Sequence, residues 1–357
     1  MLDVFLMFAA LALILAGAEL FTNGVEWMGH KLDLAEGAVG SVLAAVGTAM
    51  PETMIPFVAI LIGAHGGIGA HGGRATEDGV AVGAILGAPF MLATLAMLIT
   101  GIAVLVRARR PGRDDRLLVD TWVIGRDVRH FAIAYALAIG AAFLPAPLAA
   151  GKLAVAAVLL VLYALYVRAH FSAERTETPA GDLRPLRFGR LDPLRHQRQP
   201  RLRLVSLQVI AALAAIIGGA VVFVDAVSQL AGTLGVDPTL MTLVIAPIAT
   251  ELPEKMNSVI WISQGKDTLS IGNITGAMVF QSCIPTVLAL VLAADAWTVT
   301  PDSALGFASA AIAFASTAAI FLPMLRRQRL TGRGLLAGGG FYAVYLGLVA
   351  ASLVGVI

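Results

Sequence analysis

The sequence predicts an all-α polytopic membrane protein with ten transmembrane helices, arranged as two inverted five-helix repeats. Three observations support this fold class. Hydrophobic residues make up 58% of the 357 residues and charged residues only 13%, a composition too apolar for the surface of a soluble protein of this length. Lys and Arg residues cluster in a few loops, and the two halves of the chain resemble each other.

Ten apolar stretches are long enough to cross a bilayer as helices. They fall at residues 4–28, 36–63, 78–106, 127–148, 151–170, 204–231, 238–264, 268–294, 303–325 and 334–356. Residues 171–203 are rich in Arg and Pro and are expected to form a flexible cytoplasmic linker. The predicted organisation is therefore a first five-helix repeat at 1–170, this linker at 171–203 and a second five-helix repeat at 204–357.

The positions of Lys and Arg test this count, because cytoplasmic loops carry an excess of both. The crowded side comprises Lys31, Lys266 and the stretches 107–129, 168–203 and 326–333. The opposite side has only Arg74 and Lys152. Both termini are therefore expected on the non-cytoplasmic side of the cell (cytoplasmic) membrane. Since each half has an odd number of spans, the halves must have opposite orientation.

A shift of 202 residues superposes the two halves around a Pro-Glu dipeptide that lies within an apolar stretch. Pro51-Glu52 aligns with Pro253-Glu254, and further identities extend over most of the first two spans of each half. A carboxylate inside a membrane span is costly and tends to be functional. A pair at equivalent places of two repeats is typical of a transporter with its ion site at the repeat interface.

Each Pro-Glu dipeptide also provides oxygen ligands. Proline has no N–H, so Pro51 and Pro253 leave the carbonyls of Gly47 and Ala249 without their helical donors. Calcium takes about six to eight oxygen ligands and prefers carboxylates and carbonyls. The candidate ligands are the carboxylates of Glu52 and Glu254, the hydroxyls of Thr48 and Thr250, and the carbonyls of Gly47 and Ala249.

Helical spacing sorts the polar residues around the second Pro-Glu dipeptide into two faces. Residues three or four apart share a face, and one face comprises Thr250, Glu254, Asn257 and Ser258. Asn257 and Ser258 either support the cation site or form inter-helix hydrogen bonds. Glu251 and Lys255 lie on the neighbouring face, where they can pair, although Lys255 could instead pair with Glu254.

These residues resemble the repeat motifs of the cation/calcium exchanger superfamily, whose sodium/calcium exchangers have ten spans in two inverted halves. Each family repeat carries Gly-Thr-Ser-x-Pro-Glu, followed by Gly-Asn-x-x-Gly-Ser-Asn-x-x-Asn/Asp. The first motif reads Gly47-Thr48-Ala49-Met50-Pro51-Glu52 in one half and Ala249-Thr250-Glu251-Leu252-Pro253-Glu254 in the other. The second motif begins Gly272-Asn273 and ends at Gln281, and its match at residues 83–92 is weak.

The resemblance implies a secondary active cation antiporter that performs sodium/calcium exchange by alternating access. By position, Glu52 and Glu254 would be the central calcium ligands, Thr48 and Thr250 would add oxygens, and Asn273 would support the site. The expected partners are inorganic cations and the lipid bilayer, with calcium transported against sodium or protons. No cofactor, nucleic acid or obligate protein partner is implied.

The sequence departs from the family pattern at the site itself. The motif serine after each threonine, a sodium ligand in the family, is replaced by Ala49 and Glu251, and the last motif position is Gln281. Lys255 directly follows the second motif glutamate. A fixed ammonium there can take the electrostatic role of one bound ion. Proton coupling also stays open, since two carboxylates without a cation between them would share a proton.

Other function classes receive less support from the sequence. A membrane scaffold or an intramembrane enzyme would use the carboxylates for structure or for acid/base chemistry. The sequence contains no phosphate-binding loop, nucleophile triad or His-Glu-x-x-His zinc motif, so an enzyme is not expected. On the first span, Glu19 is deep enough to line a pathway, whereas Glu26 is expected to be a solvated residue near the membrane interface.

Overall fold

The computed structural model describes residues 2–49, 53, 74–144, 149–172, 183–191, 199–233, 251–300 and 303–353. The helices of the first half are α1 (Leu2–Lys31), α2 (Glu36–Ala38), α3 (Ala45–Thr48), α4 (Arg74–Met91), α5 (Met97–Ala108), α6 (Thr121–Ala141) and α7 (Ala149–Phe171). Those of the second half are α8 (Leu202–Thr233), α9 (Leu252–Gln264), α10 (Asp267–Leu292), α11 (Ala304–Arg327), α12 (Gly332–Leu335) and α13 (Ala337–Leu353).

Two π-helical segments interrupt the first half. The segment Val39–Ala44 joins α2 to α3, and the segment Leu92–Ala96 joins α4 to α5. The second segment follows Pro89 in the last turn of α4. Proline cannot donate to the carbonyl one turn earlier, which loosens the regular ladder at that point. Segments of this kind inside α-helices are frequent at functional sites.

Seven helices of the described part are long and apolar enough to cross a membrane, which confirms a polytopic membrane protein. They are Val4–Lys31, Ile85–Ala108, Ala150–Phe171, Leu202–Phe223, Asp267–Leu292, Ala304–Arg327 and Gly332–Ser352. The predicted fourth span forms the 21-residue helix α6, whose early turns contain Arg126, Asp127 and Arg129. The predicted second and seventh spans extend into residues outside the described part. The total of ten therefore stays a prediction.

Helix α10 lies at the centre of the described structure. It packs against α6, α7, α9 and the π-helical segment Val39–Ala44, and 83% of its apolar window is buried. Outer helices instead expose large apolar side chains such as Leu153 and Val161 on α7 and Val344 on α13. That distribution suits a bundle whose outer faces contact lipid, because lipid tails are as apolar as these side chains.

Two motif glycines allow α10 to approach the first half closely. A Cβ atom on Gly276 would lie 2.0 Å from the carbonyl oxygen of Ser41, and one on Gly272 would lie 2.8 Å from the Ser41 hydroxyl. No larger residue fits such a contact without moving the backbone. The Gly-x-x-x-Gly spacing therefore brings α10 against the π-helical segment that leads into α3.

The helices α1 and α8 pack together along their length and run antiparallel. A Cβ atom on Gly17 would lie 2.9 Å from Ile216 Cγ1, and one on Gly219 would lie 2.8 Å from Ile14 Cγ1. The 202-residue shift relates Gly17 to Gly219 and Ile14 to Ile216, so it converts one of these contacts into the other. The first helices of the two halves therefore contact each other through equivalent residues.

Two local features differ from the sequence-based expectation. The all-α prediction omits a short antiparallel pairing of Arg116–Leu117 with Leu330–Thr331. The expected flexibility of the linker does not hold for residues 183–191, which include a 3₁₀ turn at Arg187–Leu191. Leu186 is buried there against Trp27 of α1 and Val205 of α8. Buried apolar contacts order this part of the linker in spite of its Arg-rich composition.

Candidate functional site

The second Pro-Glu dipeptide lies in the first turn of α9. The helix begins at Leu252, directly after Glu251 at its N-cap position, and Pro253 lies within the first turn. Proline suits this position because the first N–H groups of a helix have no intrahelical acceptor. Glutamates there are favoured by the positive end of the helix dipole. The sequence thus places Glu251 and Glu254 together at a helix N-terminus.

Glu254 is fully buried, and neither of its carboxylate oxygens has a hydrogen-bond partner among the described residues. A buried carboxylate without a partner costs several kcal/mol, in the range of roughly 3–5 kcal/mol when a partner is removed. Within the described part of the chain the carboxylate therefore lacks the pairing that a buried charge needs, and a cation or a bound proton would supply it. This requirement is the main chemical property of the site.

Asn273 of α10 connects the two halves of the chain at this point. Its amide group donates to the backbone carbonyl of Glu254 at 3.4 Å, and its amide oxygen accepts from the Thr48 hydroxyl at 3.4 Å. All three residues are fully buried. Asn273 thus lies between a motif threonine of the first half and the motif glutamate of the second, and its supporting role in a cation site stays a prediction.

Glu251 and Lys255 form the expected i, i+4 ion pair. The ammonium group of Lys255 lies 3.2 Å from Glu251 Oε2 and 3.2 Å from the Glu251 carbonyl oxygen. Both side chains are buried, and the second carboxylate oxygen of Glu251 has no hydrogen-bond partner in the described part of the chain. The alternative pairing of Lys255 with Glu254 is not seen.

Of the remaining candidates on α9 and α10, one forms side-chain hydrogen bonds with the described residues and two do not. Ser258 exchanges hydrogen bonds with Ser270 of α10, at 3.2 Å and 3.0 Å to the backbone carbonyls, so it joins the two helices. The amide groups of Asn257 and Gln281 are buried and make no hydrogen bond with any described residue. Those two amides remain available as neutral ligands or as water contacts.

Four predicted ligands require separate comment. Gly47 lies against α1, where a Cβ atom would come within 2.7 Å of the Phe21 ring, so its glycine identity is explained by packing. Glu52, Ala249 and Thr250 lie outside the described residues, and their roles stay predictions. Among the described residues no three His, Cys, Asp or Glu side chains are grouped closely enough to hold a metal ion.

Glu19 and Glu26 of α1 are engaged in ion pairs. Glu26 was expected to be solvated, but it is buried and accepts from the Trp261 indole at 2.8 Å and from the Lys266 ammonium. The prediction for Glu26 is wrong because the turn between α9 and α10 covers this part of α1. Glu19 is 52% exposed and pairs with Arg187 of the linker.

A buried polar cluster around Asp127 was missed by the sequence reasoning. The Asp127 carboxylate accepts from the hydroxyls of Ser41 at 2.7 Å, Thr275 at 2.6 Å and Tyr166 at 3.0 Å. His170 Nε2 lies 3.0 Å from the same carboxylate. The cluster therefore joins α6, α7, α10 and the π-helical segment Val39–Ala44 through one acidic side chain.

A sequence signal for this cluster exists. Asp127 begins the predicted fourth span and His170 ends the fifth. Consecutive spans joined by a short turn are antiparallel, so residues at equal distances from the turn reach the same depth. An acidic residue and a histidine at such matched positions indicate a buried pair.

Comparison with known proteins was made at the level of family, curated sequence and structure. A family model described as "Sodium/calcium exchanger protein" matches residues 2–171 and 204–354. None of the curated proteins compared with the chain matches it. The family match excludes the central linker and covers both predicted repeats.

Solved structures of the sodium-calcium exchanger NCX_Mj show the same fold. A structure soaked with sodium and calcium matches with a TM-score of 0.70 at 16% identity, and one soaked with sodium and strontium with a TM-score of 0.70 at 17% identity. A structure without sodium and calcium matches with a TM-score of 0.67 at 16% identity. Each match covers 97% of this chain and 98% of the other.

Proposed function

The chain belongs to the sodium/calcium exchanger protein family and is a multi-pass membrane protein, and from this premise we propose that it is a secondary active antiporter exchanging sodium for calcium. The single observation that carries the proposal is the buried Glu254 carboxylate, which has no hydrogen-bond partner among the described residues. A carboxylate kept in that state inside a membrane protein requires a cation for part of its working cycle.

The proposed ion site joins the two halves of the chain. Glu254 and Asn273 contribute from the second half and Thr48 from the first, and their hydrogen bonds support this placement. The ligands proposed from the sequence alone are the carboxylate of Glu52, the hydroxyl of Thr250 and the carbonyls of Gly47 and Ala249. Such oxygens suit calcium, which prefers carboxylate and carbonyl ligands.

The proposed architecture is ten transmembrane helices in two inverted repeats, with both termini on the non-cytoplasmic side. The reciprocal contacts of Gly17 with Ile216 and of Gly219 with Ile14 support the inverted arrangement, because a two-fold axis in the membrane plane makes equivalent helices antiparallel. Alternating access then follows as movement of one group of helices against another around a fixed site.

Obligatory exchange has a simple electrostatic reason. An empty site would leave unpaired carboxylates in a low-dielectric interior, which is unfavourable by several kcal/mol. Reorientation of the empty protein is therefore slow, whereas a site neutralised by either ion can reorient. Opposing ions competing for the same carboxylates thus produce antiport and not a leak.

The proposal is tested with the purified protein in proteoliposomes. We expect uptake of ⁴⁵Ca²⁺ when an outward sodium gradient is imposed, and a loss of about a hundredfold in Glu254→Gln because the ligand charge is removed. Asp114→Asn, at an exposed loop position, is the control and should transport normally. Calcium binding that survives Glu254→Gln unchanged would support a scaffold or an enzyme and contradict transport at this residue.

Proton-coupled cation antiport on the same fold is the second candidate. It is favoured by Ala49 and Glu251, which replace the serines that are sodium ligands in the related motifs. The same proteoliposomes distinguish the two candidates. Calcium uptake that ignores sodium and follows an imposed pH gradient would establish proton coupling, and uptake that follows sodium at constant pH would exclude it.

A further inference from the structure

The ion pair between Glu251 and Lys255 lies inside the proposed site region and is not needed to form α9. Glu251 stands at the N-cap and Lys255 one turn later, and Glu254 lies between them in sequence. A lysine in the first turn faces the positive end of the helix dipole, which disfavours it. Burial of its ammonium is a further cost. A structural salt bridge would be better placed at almost any other helix position.

The surroundings of the pair show that its charges are fixed in place. The Lys255 side chain is completely buried, and its ammonium contacts two oxygens of a single residue, Glu251. The spacing of one helical turn gives the pair little freedom to move apart. The ammonium is therefore held beside Glu251 by the geometry of α9.

The Lys255 ammonium does not occupy all of the carboxylate oxygens in this region. Glu251 Oε1 and both carboxylate oxygens of Glu254 have no hydrogen-bond partner among the described residues. Glu254 is thus the carboxylate left for a mobile cation or a proton, whereas the Glu251 carboxylate already has the Lys255 ammonium as its partner. Because the Lys255 ammonium pairs with one of the two carboxylates in the first turn of α9, one carboxylate is left there for a mobile monovalent cation.

We propose that Lys255 is a tethered cation that permanently occupies a cation position at Glu251. The inference deepens the proposed function and rests on it in one respect, namely that Glu254 is a transport ligand. It assigns Glu251 and Lys255 together as determinants of ion number. The protein then binds one monovalent cation fewer than the same site would without the lysine.

A charge series of three variants tests this assignment. Lys255→Met removes the tethered charge and leaves the Glu251 carboxylate free, so we expect it to bind one more ²²Na⁺ per protein at saturation than the unmodified chain. Glu251→Gln/Lys255→Met removes both charges and should return to the unmodified number. Glu251→Gln alone releases the ammonium toward Glu254, and should weaken calcium affinity by about tenfold or more through like-charge repulsion.

Lys152→Met is the matched control, because Lys152 is also buried but its ammonium contacts the carbonyls of Ala294 and Trp297. It should change neither sodium number nor calcium affinity. The proposal is overturned if Lys255→Met, shown to be folded by its melting curve, binds the unmodified number of sodium ions. If Lys255→Met does not fold, the charge-free double variant and Glu251→Gln still test the proposal. An unchanged calcium affinity in Glu251→Gln would refute a cation at this position.

Failure of this inference is distinguishable from failure of the proposed function. The inference is measured as bound cations at equilibrium, and the function as gradient-driven uptake. A protein that binds one extra sodium ion in Lys255→Met but shows no sodium-driven calcium uptake would keep the tethered cation and lose the exchanger proposal. Normal sodium-driven calcium uptake, with no additional sodium ion bound by Lys255→Met, would keep the exchanger proposal and refute the tethered cation.

Discussion

Individual buried polar groups determine what this protein can bind. Among the described residues, the carboxylate of Glu254 and the amides of Asn257 and Gln281 have no hydrogen-bond partner, whereas the carboxylate of Glu251 pairs with Lys255. A soluble protein of ordinary stability avoids such a concentration of unsatisfied groups. Their position along α9 and α10 indicates a site whose remaining interactions are made with transported ions or water.

Asn273→Ala tests the link between the two halves at the residue scale. The substitution removes the amide that donates to the Glu254 carbonyl and accepts from Thr48. Loss of buried hydrogen bonds of this kind costs about 1–3 kcal/mol, so we expect calcium affinity to fall by roughly tenfold or more. Isothermal titration of calcium measures the effect.

Ser282→Ala on the same helix is the control for Asn273→Ala. Ser282 is also fully buried, but its hydroxyl donates to the Val279 carbonyl of its own helix. Calcium affinity should be unchanged in that variant. An equal loss in both variants would mean that general packing of α10, and not the amide of Asn273, sets the affinity.

Charge and residue spacing predicted the candidate site residues. The sequence-based prediction failed for contacts that depend on how separate helices pack against each other. The Glu251–Lys255 pair follows from a four-residue spacing, which fixes neighbours on a helix. The inter-helix hydrogen bond of Ser258 is one of the two alternatives predicted for it, but its partner Ser270 could not be predicted. The burial of Glu26 could not be predicted either, because it depends on how α9 and the turn after it cover α1. Local periodicity shows which face of a helix is polar but not which element covers it.

The elements are held around α10 by buried polar contacts in addition to packing. Asp127 joins α6, α7 and α10 to the π-helical segment that leads to Thr48. At the start of α10, Asp267 pairs with Arg107 of α5 and accepts from the backbone of Leu118 at 2.9 Å. Both contacts connect helices of the first half to the central helix of the second.

Asp127→Asn tests the element scale. The substitution keeps the shape of the side chain but removes the charge that faces His170 and three hydroxyl donors. Leaving buried hydrogen-bonding groups without their partner costs about 1–3 kcal/mol for each group, so we expect a clear decrease in melting temperature in detergent. Asp114→Asn, at an exposed loop position, should have little effect.

A double-substitution cycle separates the pair from its surroundings. If the cost arises from the interaction of Asp127 with His170, adding His170→Gln to Asp127→Asn should cost much less than His170→Gln costs alone. Additive losses would show that Asp127 acts through the hydroxyls of Ser41, Tyr166 and Thr275, and that the histidine contributes independently.

At the scale of the whole molecule, the duplication visible in the sequence has a counterpart in the contacts of α1 and α8. Gly17 and Gly219 occupy equivalent positions, and each lies against an equivalent isoleucine of the other helix at nearly the same distance. Small residues at such crossings allow helices in membranes to approach closely. The fold class could be predicted because this duplication, the hydropathy and the Lys and Arg distribution are all properties of the chain itself.

The two-fold relation makes a quantitative prediction about Gly17→Leu and Gly219→Leu. A side chain at either position collides with backbone and side-chain atoms of the opposite helix, and overpacking of this kind costs about 1–3 kcal/mol. Equivalent surroundings imply equal costs, so the two variants should lower the melting temperature by similar amounts.

Gly218→Leu separates contact from helix propensity, because Gly218 is adjacent to Gly219 but a Cβ atom there meets nothing within 4 Å. Replacing glycine inside a helix gains up to about 1 kcal/mol when no clash opposes it, so this variant should be as stable as the unmodified protein or slightly more so. A large loss in Gly17→Leu with none in Gly219→Leu would contradict the two-fold relation between the halves. Equal losses in those two variants and none in Gly218→Leu would support the proposed two-fold relation between α1 and α8.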